Sequence, residues 1–279
     1  PAWACAGCGA SLVVRHALKV LGPNTVCALP AGCMSAVGFN FPQMSFANNA
    51  MITPFAATAS VISGIKAGLR ARRIATEQAA AAGWPADKLA QTRISSSIIP
   101  FKDGKPCPAV DGFLVSATAL ARPQIADRCD IGNYLDALSV PAIVIPKNPS
   151  KTVQSEFARR NARVGDLVVT MVPGAAEPVF AVVGDTGPSG ELGEGSIALN
   201  GRLLGKTAAP ANYLEVRGKP PYAGRGWTVP KAAVLIFPGS RDSANPYMST
   251  ERIDAAAAQR FETWGGVQRL KACVAAYLK

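Results

Sequence analysis

The sequence predicts an α+β protein in which a mostly β, barrel-like domain with a C-terminal helix follows a small helical and αβ N-terminal segment. Two observations carry this prediction. From about residue 95 onward, short apolar runs recur between Gly and Pro residues, a texture typical of compact sheets and barrels. Before that point, apolar residues recur at roughly helical spacing. The chain of 279 residues is long enough for one large domain or two modest ones.

The N-terminal segment, residues 1–74, is predicted to contain two helices and a strand. Residues 10–20 carry apolar side chains at helical spacing, and a strand-like run covers 25–29. A second helix, built from small residues, is predicted over 54–71. It ends in a cluster of arginines, which suits the negative end of a helix dipole.

The rest of the chain divides into a helical linker, 75–94, and the mostly β domain, 95–279. A C-terminal helix is expected after Ser249, a candidate N-cap, and Gly265 is expected to end it before a last short helix. The predicted strands of the β domain are 113–115, 142–145, 166–172, 179–183 and 233–237.

The charge distribution argues against a nucleic-acid partner, and the lengths of the apolar stretches argue against a membrane partner. The formal net charge is +11, and residues 1–74 contribute six Lys or Arg and no Asp or Glu. No dense basic run is interleaved with aromatic residues, so a nucleic-acid partner is not expected. The longest apolar stretch, residues 51–65, is short and interrupted by Thr, Ser and Gly, so a membrane partner is not expected either.

Two carboxylates are the main catalytic candidates. His16 is the only histidine, which removes histidine-based triads and His-rich zinc sites unless His16 itself serves. Asp185 and Glu194 stand at the two ends of a glycine-rich loop between two apolar runs. Two carboxylates held across a cleft are the minimum equipment for hydrolysing a glycosidic bond. The alternative is that Asp185 caps a turn and Glu194 is a solvated loop residue.

Residues 95–279 resemble the family 75 glycoside hydrolases, the chitosanases. Ordered segments carry the resemblance: 111–120, 134–137, 140–146, 165–169, the loop 184–196, 236–240 and 264–266. The resemblance implies cofactor-free, inverting hydrolysis of a β-1,4-linked glucosamine polysaccharide, with Asp185 and Glu194 as the catalytic pair. Inversion requires the two carboxyl groups to lie about 6.5–9.5 Å apart. The turn 185–188 is also similar to turns of double-psi β-barrels, and this analogy places that barrel type among the candidate folds.

Four further acids are expected to line a sugar groove, although each is equally a candidate turn or cap residue. Chitosan is a polycation, so an enzyme that binds it is expected to have an acidic cleft. Residues 95–279 instead carry a small net positive charge, so a neutral or anionic glycan is an alternative substrate. These four candidate substrate-binding residues are Asp111, Asp130, Asp136 and Asp166.

The N-terminal segment has a different resemblance, which rests on its cysteines. Cys5, Cys8 and Cys33, with the segments 21–25, 46–50 and 60–65, resemble the start of the β subunit of 2-oxoacid:ferredoxin oxidoreductases. The resemblance implies that these cysteines hold a [4Fe–4S] cluster and that the segment opens a thiamine diphosphate domain. It also leaves contact with another subunit open. A cubane cluster needs four thiolates, and the family's motif for the diphosphate and Mg²⁺ is missing here.

Three classes of function therefore compete. The leading one is a glycoside hydrolase without metal or cofactor. The second is an iron–sulfur redox protein or a fragment of one, and the third is a carbohydrate-binding domain without catalysis.

The cysteines also bear on the compartment. Cys107 and Cys129 flank the segment 111–120 and are a candidate disulfide, which favours a secreted or periplasmic protein. No signal peptide is visible, although the chain begins at Pro1. A CxxC motif with an iron–sulfur role instead favours a reducing cytoplasm.

Overall fold

The computed structural model describes residues 9–22, 25–32, 49–92, 98–122, 124–224 and 226–277. The chain divides into two compact units, Pro1–Ile74 and Ala75–Lys279, which we call the N-terminal and C-terminal units. Within the described ranges, no helix is both long and apolar enough to cross a membrane.

The described residues of the N-terminal unit form a two-stranded parallel sheet, one helix and the first part of a second. The strands pair in register from Val26 opposite Asn49 to Pro30 opposite Thr53. Thr53 anchors the end of this sheet, because its Oγ1 donates a hydrogen bond to the Leu29 carbonyl at 3.3 Å and lies 2.7 Å from Thr58 Oγ1. The elements are α1 (Gly9–Leu21), β1 (Val26–Pro30), β2 (Asn49–Thr53) and α2 (Thr58–Ala81), the last preceded by a 3-10 turn at Phe55–Ala57.

The C-terminal unit is built around a mixed four-stranded sheet. Its strand order is β5–β7–β6–β8; β5 and β7 are parallel, and the other two pairs are antiparallel. The elements that follow α2 are α3 (Ala86–Thr92), β3 (Phe101–Lys102), β4 (Lys105–Pro106), β5 (Ala142–Pro146), α4 (Glu156–Arg159), β6 (Leu167–Met171), β7 (Val179–Gly187), α5 (Ile197–Leu203), α6 (Tyr213–Val216), β8 (Ala233–Ile236), α7 (Thr250–Trp264) and α8 (Gly266–Tyr277).

Both faces of this sheet are covered by helices. On one face Leu167 and Val182 pack against Ile253 of α7, and on the other face Val168 packs in a cluster with Leu199 of α5. All five residues of β6 are buried, as expected for a strand that is apolar on both sides. Within this unit β5 to β8 form the mixed sheet and β3 pairs with β4 in a separate antiparallel sheet, while closure into a barrel, and its double-psi type, remain predictions.

Several predicted elements are confirmed and one is wrong. The C-terminal helix is confirmed: α7 ends at Trp264, where Gly265 adopts the left-handed conformation with φ 118°, and α8 follows. The predicted strand 113–115 is wrong, since only Phe113 forms an isolated bridge, with Val110. The reason is local: Asp111 and Gly112 between them have φ 49° and 79°, which makes a tight turn.

The segment predicted as a linker, 75–94, contributes to the core of the C-terminal unit. Ala79, Ala80 and Trp84 are buried in one cluster with Leu214 of α6. The Trp84 ring meets the Tyr213 ring edge-on, with ring centroids 5.4 Å apart.

The predicted disulfide between Cys107 and Cys129 is confirmed. It joins the β3–β4 hairpin region to the segment around the 3-10 turn Ile131–Asn133. The sequence separation is 22 residues, so the bond restricts the unfolded chain considerably.

Removing this disulfide is expected to lower the free energy of unfolding by about 3 kcal/mol, mainly because the unfolded chain regains loop entropy. The measurement is urea unfolding of the double serine variant of Cys107 and Cys129. Cys273→Ser, at an exposed free cysteine, is the matched control. Equal unfolding midpoints for the double variant and the control would contradict the expectation.

Candidate functional site

Asp185 lies inside β7, two residues before its end, and is half-buried. The register between β5 and β7 shifts between Ile143 and Val144, so that Val144 faces Asp185 and Gly184 is the extra residue of a bulge. A Cβ on Gly184 would lie 3.0 Å from the Ala142 Cβ, so only glycine fits this bulge without displacement. Bulges of this kind re-aim the side chain that follows them.

The carboxylate of Asp185 is held by backbone donors. Its Oδ1 accepts hydrogen bonds from the Thr186 amide at 2.7 Å and from the Ala119 amide at 3.1 Å. The second of these bonds joins two distant parts of the chain, which fixes the side chain at the surface of the sheet.

Glu194 comes to the same place from the far end of the glycine-rich loop. Its carbonyl accepts a hydrogen bond from the Val144 amide at 2.9 Å, and Gly195 forms a bridge with Ile143. Its side chain is exposed and reaches over β7, because a Cβ on Gly187 would lie 3.7 Å from Glu194 Oε2. Gly187 stands two positions beyond Asp185, on the same face of the strand.

Ser196 fixes the start of α5 directly after Glu194. Its Oγ accepts hydrogen bonds from the Leu199 amide at 3.1 Å and the Ala142 amide at 2.9 Å, and donates one to the Val140 carbonyl at 2.8 Å. The apolar residues 197–199 are therefore the first turn of a helix, whereas the sequence suggested a second apolar run bordering a tight turn. A serine before an apolar run is an N-cap signal that identifies this residue.

The structure thus brings Asp185 and Glu194 into one depression of about 150 Å³, which Ser116 and Thr118 also line. Thr118 holds its wall, since the Thr118 Oγ1 donates to the Leu120 carbonyl at 2.7 Å and accepts from the Leu135 amide at 2.9 Å. Sequence reasoning missed Ser116 and Thr118, because a hydroxyl between short apolar runs carries no distinguishing signal.

Two larger depressions adjoin this one. One, of about 350 Å³, shares Ser116 and Leu135 with it. The other, of about 500 Å³, shares Glu194 and Val144 with it and is also lined by Lys231. The three depressions thus share lining residues, and both carboxylates line the smallest of the three.

Two of the four additional candidate acids line the 350 Å³ depression. Asp111 lines it from a turn in which its φ is positive, and Asp136 is another of its lining residues. Asp136 is also a turn residue: its Oδ1 accepts from the Leu138 amide at 2.9 Å, and its Oδ2 accepts from the Ser139 hydroxyl at 2.5 Å.

The other two candidates have structural roles. Asp130 is exposed and caps the 3-10 turn Ile131–Asn133, because its Oδ1 accepts from the Gly132 amide at 2.8 Å. Asp166 is fully buried and accepts hydrogen bonds from the Arg163 amide at 2.8 Å and the Arg241 amide at 3.1 Å. A carboxylate with no exposed surface is not accessible to a ligand in this conformation.

Some exposed carboxyl groups have a lowered pKa, and Asp127 is one of them. The Cys129 amide and the Lys102 ammonium group hold the pKa of Asp127 below its ordinary value of 3.8. Elsewhere, burial raises the pKa of Asp254 on α7.

The candidate cluster ligands Cys5, Cys8 and Cys33 lie outside the described residues. Among the residues that are described, no group of three or more His, Cys, Asp or Glu side chains could hold a metal ion. Two free cysteines are described: Cys27, half-buried on β1, and Cys273, exposed on α8.

Comparisons with known proteins bear on the N-terminal resemblance. Over 68 residues, 24% of this chain, it is 46% identical to "Ketoisovalerate oxidoreductase subunit VorB" of Pyrococcus horikoshii, of which the match covers 22%. It is 43% identical over 68 residues to "Pyruvate synthase subunit PorB" of Methanothermobacter marburgensis, covering 24% of each chain. It is 51% identical over 39 residues to "NADH-dependent phenylglyoxylate dehydrogenase subunit beta" of Aromatoleum evansii, covering 13% of this chain and 9% of that one.

About a quarter of the chain thus matches β subunits of 2-oxoacid:ferredoxin oxidoreductases. The chain spans less than a quarter of the length of the VorB and PorB relatives it matches. No protein-family model matches it.

These findings correct the prediction of chitosan hydrolysis. The curated relatives are oxidoreductase subunits, and nothing in the comparisons supports membership of glycoside hydrolase family 75. The predictions of a glycoside hydrolase and of a polysaccharide partner are wrong for the same reason. A carboxylate pair in a glycine-rich loop is too common an arrangement to establish that chemistry without a relative that performs it.

Proposed function

We propose that the N-terminal segment is the opening part of a 2-oxoacid:ferredoxin oxidoreductase β subunit, and that the chain works as a subunit of such an enzyme. The observation that carries the proposal is the identity of 46% to VorB over 68 residues. This length is close to that of the segment 1–72, in which the cysteine spacing carries the resemblance. VorB and PorB are named as subunits, which favours assembly with further polypeptides.

In this proposal Cys5, Cys8 and Cys33 are thiolate ligands of an iron–sulfur cluster. Such a cluster, when bound, accepts and passes on single electrons. Three thiolates are one short of a cubane set, so the fourth ligand would come from Cys27, Cys273 or another subunit. Cys27 belongs to the same unit and is free, which favours it over Cys273.

The residues of this chain do not fit thiamine diphosphate. The family motif for the diphosphate and Mg²⁺ is a Gly-Asp-Gly followed by an Asn. The loop 184–187 reads Gly-Asp-Thr-Gly and matches only the first two residues of that motif. Asp185 in that loop accepts hydrogen bonds from two backbone amides and lies on the C-terminal sheet. We therefore propose electron transfer for this chain and assign it no thiamine chemistry.

The test is anaerobic reconstitution of the full chain with iron and sulfide. We expect the visible absorbance of an iron–sulfur cluster together with bound iron and sulfide, because three thiolates at the family spacing already provide most of the ligand set. Cys8→Ser is expected to abolish it, and Ser63→Ala, at an exposed position of the same unit that is not a candidate ligand, is the control. Protein that stays colourless and free of iron, with its thiols reduced, would overturn the proposal.

A further inference from the structure

The described part of the N-terminal unit carries many apolar side chains on its surface. Of the residues between Gly9 and Ile74 whose burial is described, Thr53 alone is buried. Ten of the seventeen large apolar side chains that are exposed in the described chain lie in this unit. The exposed apolar side chains are therefore concentrated in this unit, and large exposed apolar patches are typical of interaction sites.

Helix α1 presents one such apolar face. At 100° per residue, Val13, Val20 and Leu21 fall on one side of the helix, while Arg15 and Lys19 fall on the other. The side chain of Val20 is 86% exposed and that of Val13 is 68% exposed. In a folded domain such a face packs against a neighbouring element.

Each face of the β1–β2 sheet carries an exposed apolar side chain. Met51 and Ile52 are neighbours on β2, so their side chains point to opposite faces, and both are exposed. Parallel sheets occur almost only with both faces covered, and a two-stranded sheet is marginal by itself. A flat lipid surface covers one face of a sheet, whereas a polypeptide can cover both.

The positive charge of the N-terminal unit indicates that its partner carries acidic side chains. Residues 1–74 contain six Lys or Arg and no Asp or Glu. On α2, Ile62, Leu69, Lys66 and Arg73 fall on one side of the helix, and both apolar side chains are exposed. A second copy of this chain would bring the same positive charge to the interface, which disfavours self-association.

We propose that the N-terminal unit is a docking surface for a second, different polypeptide that covers both faces of the β1–β2 sheet. This partner presents apolar side chains to the sheet and carboxylates to the surrounding basic residues. The inference rests on the proposed function, from which the partner is the part of an oxidoreductase β subunit that this chain does not match. Docking uses the apolar and basic surface and does not require the cluster cysteines.

The experiment uses a defined probe, Pyrococcus horikoshii VorB without its 68 matched residues, tagged and co-expressed with the full chain. We expect the tagged probe to retain this chain at a one-to-one ratio. The double change Val20→Asp and Ile52→Asp is expected to reduce retention at least about tenfold, since charges would enter an apolar interface. The matched double control is Val153→Asp with Leu192→Asp, at exposed apolar positions of the C-terminal unit.

The controls separate the docking proposal from the cluster proposal. Triple serine variants of Cys5, Cys8 and Cys33 are expected to be retained like the wild type, so a failed cluster assay leaves docking standing. The 68-residue segment of VorB itself is the positive control for the probe. If that segment is retained and this chain is not, or if the double aspartate variant is retained equally well, docking is refuted.

If the tagged probe retains neither this chain nor the VorB segment, hydrogen exchange of the full chain by itself tests the docking proposal. With its partner absent, the sheet amides of β1 and β2 are expected to exchange at least about a thousandfold faster than those of β6 and β7. Equal protection of the two sheets would mean that the surface is already covered. A stable dimer of this chain, or binding to phosphatidylglycerol vesicles, that the double aspartate variant abolishes would assign the surface to another occupant and also refute the proposal.

Discussion

Phe261→Ala is expected to lower the free energy of unfolding of the C-terminal unit by about 3–5 kcal/mol, because it opens a cavity in the core. The Phe261 side chain is 1% exposed and packs in one cluster with Val169 and Leu270. Its ring also meets the Phe180 ring edge-on, at a centroid distance of 6.0 Å, and stacks on the Trp264 ring at 6.1 Å. This one side chain therefore joins α7 and α8 to the sheet.

Urea unfolding of the full chain measures the effect. Gln259→Ala, an exposed position on the same helix, is the matched control and is expected to change stability by less than about 0.5 kcal/mol. A loss below about 1 kcal/mol for Phe261→Ala would contradict the expected cavity cost.

Asp166→Ala is expected to lower the free energy of unfolding by roughly 2–4 kcal/mol, since it leaves two backbone amides without their acceptor. Those amides belong to Arg163 and Arg241, and the Arg241 guanidinium lies 3.5 Å from the buried carboxylate. The guanidinium itself is about one third exposed, so water replaces part of its lost interaction.

The measurement is thermal unfolding of the Asp166→Ala variant, with the Asp130→Ala variant as its comparison. Both residues are aspartates that the sequence predicted as substrate ligands, but Asp130 is exposed and caps a single turn. Its replacement is expected to cost about 1 kcal/mol. Equal losses for the two variants would show that burial does not separate their roles.

The elements that sequence could predict are those whose burial is uniform. Strands β5 and β6 are continuous apolar runs, buried almost throughout, and both were found close to their observed bounds. The prediction of a strand at 113–115 was wrong because the turn at Asp111 depends on backbone angles that the composition does not reveal. Helix α2 runs to Ala81, ten residues beyond its predicted end, because no proline or capping residue stops it at the arginine cluster.

Part of the candidate site could likewise be predicted from the sequence, and part could not. Asp185 and Glu194 could be paired from sequence because a loop between two apolar segments brings its ends together. The separate roles of Asp166 and Asp136 could not be predicted, because both are single acids beside apolar runs. One is fully buried under Arg241 and the other lines an open depression, and only tertiary packing distinguishes them.

The glycine-rich loop is clamped at both of its ends. The Lys147 amide donates to the Gly187 carbonyl at 3.1 Å, and the Val144 amide donates to the Glu194 carbonyl at 2.9 Å, so β5 and the residue that follows it hold both ends of the segment 188–193. Each doubling of the length of a flexible loop costs only about 0.6 kcal/mol of closure entropy. The exposed turn around Gly190 is therefore a suitable position for inserting a peptide tag or a fluorophore attachment sequence into this protein, because the clamped ends separate the insertion from the sheet.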